Sequence, residues 1–181
     1  MKTLPAVLLV ALLVVIAGAA GFLLARQLRP GSGANVEVSV ADVVGKPAAA
    51  LELPALDGSR IDLAALRGKT VLLNFWASWC SPCVEEMPLL DRTARERAAS
   101  GLVVIGVAVD DEDAVRAFLD EHPVTYPIAL GNAGSPDESA DFGNARGVLP
   151  YSVLIDTAGV VRRVDAGSFE GDELAEWLDR P

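Results

Sequence analysis

Two stretches, Thr70–Trp76 (TVLLNFW) and Leu102–Val109 (LVVIGVAV), are almost unbroken apolar runs of strand length. A strand wetted on one face alternates apolar with polar residues, so a run without alternation needs apolar cover on both faces. The chain must therefore build a sheet with layers on either side. Candidates for those layers follow in order. From Pro82 to Ala98, Val84, Met87, Leu90, Ala94 and Ala98 share one helical stripe, with Pro88 predicting a kink. Asp110-Asp111 reads as the cap of a second helix with Val115, Phe118 and Leu119 on its inner face, ending before Pro123. A last amphipathic helix carries Leu174, Trp177 and Leu178. Ile128–Leu130 reads as a short strand. Leu51–Leu56 and Arg60–Leu63 around Asp57-Gly58 read as one hairpin, and Tyr151–Ile155 with Val160–Val164 around Thr157-Ala158-Gly159 as another. Strands alternating with helices, then a hairpin and helix, imply an α/β sandwich with a mixed sheet.

The 181 residues suffice for one such domain, and the charge is distributed unevenly. Thr3 to Ala25 carries no charge, while all 25 acidic residues lie beyond Pro30. Residues 30–181 hold 12 basic residues, a formal charge of −13 against −10 for the whole chain. An acidic body lacks the basic footprint that phosphate contacts need, which excludes a nucleic-acid partner. Leu4–Ala25 is long enough as a helix to span the roughly 30 Å hydrocarbon core. A cleaved signal peptide would use Lys2, Leu8–Ile16 and Ala17-Gly18-Ala19. The apolar Phe22-Leu23-Leu24 beyond that site favours an uncleaved anchor. Either reading sends the rest of the chain out of the cytoplasm. The organisation expected is a membrane segment at 1–29, a flexible tether at 30–43 opening with PGSGA, and a folded domain at 44–181.

One cluster carries chemistry: Trp76-Ala77-Ser78-Trp79-Cys80-Ser81-Pro82-Cys83, where a buried strand gives way to a helix. The free amides and positive dipole end of a helix start favour a thiolate, so Cys80, with its sulfur outward, is expected to ionise below the roughly 8.5 of a free thiol. Cys83 stands one turn on and can reach back, so a disulfide can open and close within that turn. Pro82 is tolerated in the first turn and stiffens the backbone between the sulfurs. Blander readings compete: an inert structural pair, or a metal site. Two cysteines and the distant His122, itself read as a surface residue, fall short of the four ligands zinc takes, so neither metal nor cofactor is expected.

WASWCSPC is very like the active-site segment of thioredoxin-fold proteins. The longer run VLLNFWASWCSPCVEEMPLL resembles the membrane-anchored reductases of the TlpA, ResA and cytochrome-c-maturation group, and the likeness extends over Val44 to Leu178. It includes Gly45-Lys46-Pro47, LPALDGSRIDLAALRGK and Gly147-Val148-Leu149-Pro150-Tyr151. The resemblance implies a thioredoxin-like fold with an N-terminal hairpin and an inserted helix and strand over Asp111–Leu130. It implies a cis bond before Pro150, which faces the cysteines and leaves the backbone of Leu149 open to pair with a bound segment. Thioredoxin's buried aspartate is matched here by Asn74, which cannot titrate. The group instead carries a glutamate matched by Glu86, three residues after Cys83, implying that Glu86 takes the Cys83 proton. The sequence departs from the group at Ala48-Ala49-Ala50-Leu51 and at Leu149, which bears on partner recognition.

The function implied is a tethered, exported thiol–disulfide oxidoreductase that reduces disulfides in partner proteins, with oxidised apocytochrome c as one substrate class. Cys80 attacks, Cys83 resolves, and Trp76 with Trp79 offers an apolar landing surface beside Leu149 and Pro150. A membrane-embedded thiol reductase would return the electrons, and the inner membrane would hold the N-terminal helix. Alternatives are a disulfide donor of the same fold and a non-enzymatic binding module. A peroxiredoxin-like peroxidase is a third, although its Pro-x-x-x-Thr pattern is missing.

Overall fold

Residue alternation inside Thr70–Trp76 sets the architecture of the computed structural model, which describes residues 39–134 and 136–180. This strand, β3, sends Leu72 and Trp76 to one apolar cluster and Val71, Leu73 and Phe75 to another. All five are 2% exposed or less. Each such side chain withdrawn from water contributes about 1.5–3 kcal/mol, which is why the run has no polar face.

The elements before β3 are a short helix α1 (Val40–Val43) and the strands β1 (Glu52–Pro54) and β2 (Arg60–Asp62). After β3 come α2 (Ser81–Arg97), β4 (Leu102–Ala108), α3 (Glu112–Glu121), β5 (Ile128–Leu130), β6 (Tyr151–Ile155), β7 (Val161–Ala166) and α4 (Glu173–Asp179). The main sheet has the order β5-β4-β3-β6-β7. β3 runs parallel to β4, and β4 to β5, while β6 is antiparallel to both β3 and β7. The mixed sheet is thus as the sequence predicts, and so is the hairpin β1–β2, which turns through Asp57-Gly58 with Gly58 at φ +86°. That hairpin reaches the outer strand, where Leu56 N–H donates to the Ile128 carbonyl at 2.9 Å and Ala55 bridges Ala129. An exposed sheet edge is covered in this way.

Two details differ from expectation. The buried stripe of α2 is Cys83, Glu86, Met87, Leu90 and Thr93, one position back from Val84 and Ala94, which are half-buried, while Ala98 is exposed. Glu86, three residues after Cys83, shares the buried face with it, as its spacing implies. The helix runs through Pro88 without ending there, and Pro88 lies on its exposed side. The second difference is that Asp111 alone caps α3, accepting from Asp113 N–H at 3.1 Å; Asp110 is engaged elsewhere.

The expected membrane segment at 1–29 and the first part of the tether lie outside the described residues. Among those described, no helix is long and apolar enough to cross a membrane. Helix α1 buries Val43, and Ser39 bridges Asn144 in the segment before β6.

Candidate active site

Cys80 is the N-cap residue of α2 and Cys83 lies in its first turn, with Pro82 between them. The two are joined in a disulfide with a Cα–Cα distance of 5.3 Å. Cys80 is 6% exposed and Cys83 0%, so Cys80 alone offers any surface to an incoming partner. Its exposure is narrower than an outward sulfur would give, because the residue belongs to the apolar cluster that holds Trp76, Ala77 and Met87.

Two side-chain clasps hold the loops at this end of the sheet. Asp110, just past β4, accepts from Ser78 N–H at 2.9 Å and Ser78 Oγ at 2.6 Å, tying down the segment that leads into Cys80. Asn144 accepts from Val148 N–H and donates to the Val148 carbonyl, each at 2.9 Å, bracing the approach to Leu149 and Pro150. The Leu149–Pro150 bond is cis. Because Tyr151 pairs with Phe75, Pro150 stands level with Trp76, where β3 hands over to the cysteine loop. Pro150 is buried and Leu149 half-buried, in contact with both apolar clusters.

The landing surface needs one correction. Trp76 is 0% exposed and packs against Phe118 at 5.5 Å between ring centroids, so no partner can touch it. It also packs near Gly106, where a Cβ would lie 2.8 Å from Ile128 Cδ1, 3.0 Å from Tyr126 Cε2 and 3.1 Å from Trp76 Nε1, so a glycine stands in mid-strand. Trp79, by contrast, is 71% exposed, and Val148 39%. These two are the exposed apolar groups of the cysteine loop and the Pro150 loop.

Glu86 lies on the same helix face as Cys83 and is 2% exposed. Asn74 Nδ2 donates to its Oε1 at 2.7 Å, and Phe169 N–H to its Oε2 at 3.0 Å. Burial pushes this carboxyl up to about 7; the two donors oppose that shift, and the nearby Asp165 charge adds to it. Burial wins because two hydrogen bonds replace only part of the hydration a carboxylate loses. Its neighbour Glu85 is exposed and accepts from Ser81 Oγ. Asn74 also donates to Ser152 Oγ at 3.1 Å. His122 is exposed at the end of α3, stacked on Phe118. Among the described residues, no group of three or more His, Cys, Asp or Glu is placed to hold a metal ion.

A strand-to-helix junction with a closed Cys-x-x-Cys pair, a cis-proline strand start beside it and a buried carboxyl behind it matches one known group of proteins. The Redoxin family model covers residues 43–177. The chain belongs to the Redoxin family. It is 34% identical over 139 residues to the thioredoxin-like protein YneN of Bacillus subtilis, covering 75% of this chain and 78% of that protein. It is 32% identical over 174 residues to the thiol-disulfide oxidoreductase ResA of Bacillus anthracis, covering 94% and 93%. Among solved structures, the Chlorobium tepidum protein assigned as thiol:disulfide interchange protein DsbE superposes with a TM-score of 0.67 at 29% identity, over 74% of this chain and 92% of that one. A thiol-disulfide oxidoreductase from Bacteroides fragilis gives 0.63 at 27%, over 74% and 97%. Cys80 and Cys83 are thus the dithiol of a ResA/TlpA-like disulfide oxidoreductase.

Proposed function

We propose that the protein is a reductase of disulfides in exported proteins, tethered by residues 1–29 to the outer face of the inner membrane, with oxidised apocytochrome c among its substrates. The observation that carries dithiol exchange is the closed Cys80–Cys83 pair at the start of α2, with the buried Glu86 carboxyl on the Cys83 face of that helix. The reductive direction is the reading that the redox potential tests. The Cys80 thiolate attacks a partner disulfide, forming a mixed disulfide and releasing one partner thiolate. Cys83 then gives its proton to ionised Glu86 and attacks Cys80 Sγ. The Cys80–partner bond breaks, the second partner sulfur leaves as a thiolate that takes its proton from solvent, and the enzyme is left oxidised with the Cys83 proton on Glu86. Trp79 and Leu149 would line the partner's seat, while a membrane-embedded thiol reductase returns two electrons. The resemblance to ResA and the apolar run at Leu4–Ala25 support the tether and the export.

The test is a Cys83→Ser variant in membranes. It is expected to accumulate partner proteins attached through Cys80, released by dithiothreitol and missing when Cys80 is also replaced. Equilibration of the wild-type protein with glutathione should give a potential nearer the roughly −270 mV of dithiol reductants than the roughly −120 mV of strong exported oxidants. A value at the oxidising end overturns the direction.

A further inference from the structure

Glu86 is 2% exposed, so a proton it takes from Cys83 has no direct way to water. The sheet register brings a second, less buried carboxyl to the same face. Gly106, Asn74, Ser152 and Asp165 form a single row across β4, β3, β6 and β7, each directly opposite the next. Residues paired in this way project to the same face of the sheet. Glu86 spans that row from above, bonded to Asn74 on β3 at one oxygen and to Phe169 N–H, three residues past β7, at the other. Beneath it the row opens outward, from Asn74 (1% exposed) and Ser152 (0%) to the half-buried Asp165. Ser152 Oγ accepts from Asn74 Nδ2 at 3.1 Å.

We propose that Asp165 is the proton port of this site, a positioning residue at the wet end of the polar row that exchanges protons between buried Glu86 and solvent. The proposal rests on Glu86 being the base for Cys83. In each turnover the proton that Glu86 receives from Cys83 passes to the Asp165 carboxylate and from there to water, leaving Glu86 ionised. Electrons are unaffected by this step; they flow from the two thiols to the partner disulfide. The charged groups around the port are Glu86 on α2, Glu173 and Arg180 at either end of α4, Tyr151 on β6, and Arg163 on β7 itself. Burial and Glu173 raise Asp165, while Arg180 lowers it, so its affinity for a proton moves toward that of Glu86.

The test uses the full chain with Asp165→Asn, Asp165→Glu and Glu86→Gln, reading single-turnover resolution of a mixed disulfide by tryptophan fluorescence from acid to alkaline pH. Asp165→Asn removes a like charge from beside Glu86. Its rate midpoint should therefore move to lower pH by about half a unit, and its plateau should fall about 3- to 10-fold. Added imidazole, carrying protons in place of the lost carboxylate, should restore the plateau, and Asp165→Glu should behave as wild type. A slowed plateau that imidazole does not restore, with an unmoved midpoint, indicates a purely structural role and overturns the proposal. So does an Asp165→Asn profile that superimposes on wild type while Glu86→Gln has lost its midpoint. If Asp165→Asn does not fold, Asp165→Glu decides: a profile unlike wild type overturns the port. A Glu86→Gln profile identical to wild type instead removes the reading of Glu86 as base, and the port with it.

Discussion

Glu86 sets two demands against each other: its site excludes water, yet its chemistry needs the charged form. The cost can be read as a dependence of stability on pH. Its folded value of about 7 lies above the 4.5 of an ordinary glutamate. Between those values the folded chain holds a proton that the unfolded chain has lost. The stabilising contribution is therefore complete below pH 4.5, declines as pH rises through 7, and is gone above it. The span corresponds to about 3 kcal/mol. Urea unfolding with the disulfide closed should show the wild type less stable at pH 8 than at pH 5, and Glu86→Gln should lose most of that difference. An equal difference in both proteins would show that some other group is responsible. The two cysteines, Glu86 and the silent Asn74 were legible because each stands at a set spacing from the Cys-x-x-Cys motif. The Phe169 donor was not, since a backbone N–H has no side-chain signature. Trp76 was misplaced because apolar character alone does not say that the tryptophan ending β3 packs into the core against Phe118 while Trp79 in the loop stays exposed.

At the scale of elements, the site depends on loops held by side chains that look ordinary in sequence. Asp110 follows a strand and precedes a helix, so Asp110-Asp111 reads as a cap; only the fold brings it across to Ser78. Asn144 was invisible for the same reason, as its partner Val148 is met through backbone atoms. Replacing Asp110 with alanine strands the Ser78 N–H at a partly buried position. The expected loss in urea unfolding is about 1–3 kcal/mol, and hydrogen exchange at residues 77–80 should quicken. Ser78→Ala should cost less, because Asp110 still accepts from the backbone. Equal losses for the two variants would mean the backbone bond contributes nothing. The strands themselves were easier to read. β3 and β5 coincide with their apolar runs, whereas β7, with one face half-open, starts at Val161 rather than Val160 and runs on to Ala166.

For the molecule as a whole, charge decides which partners approach quickly. Residues 30–181 carry −13 formally, and the exposed apolar groups at the site, Trp79 and Val148, contribute no charge of their own. A field of that sign attracts cationic partners and repels anionic ones before any contact forms, acting on the encounter rate. It is screened within about 8–10 Å at 0.1–0.15 M salt. Two disulfide-bearing peptides of equal length, one lysine-rich and one glutamate-rich, should therefore differ in the rate of mixed-disulfide formation with the reduced protein. At low salt the basic peptide should react about 10-fold faster. Raising salt should slow it and speed the acidic one until the two converge, while the later resolution by Cys83, an intramolecular step, stays nearly constant for both. Convergence at the first step alone would place the selectivity in the long-range field. A preference that persists at high salt would place it in contacts around Trp79 and Leu149.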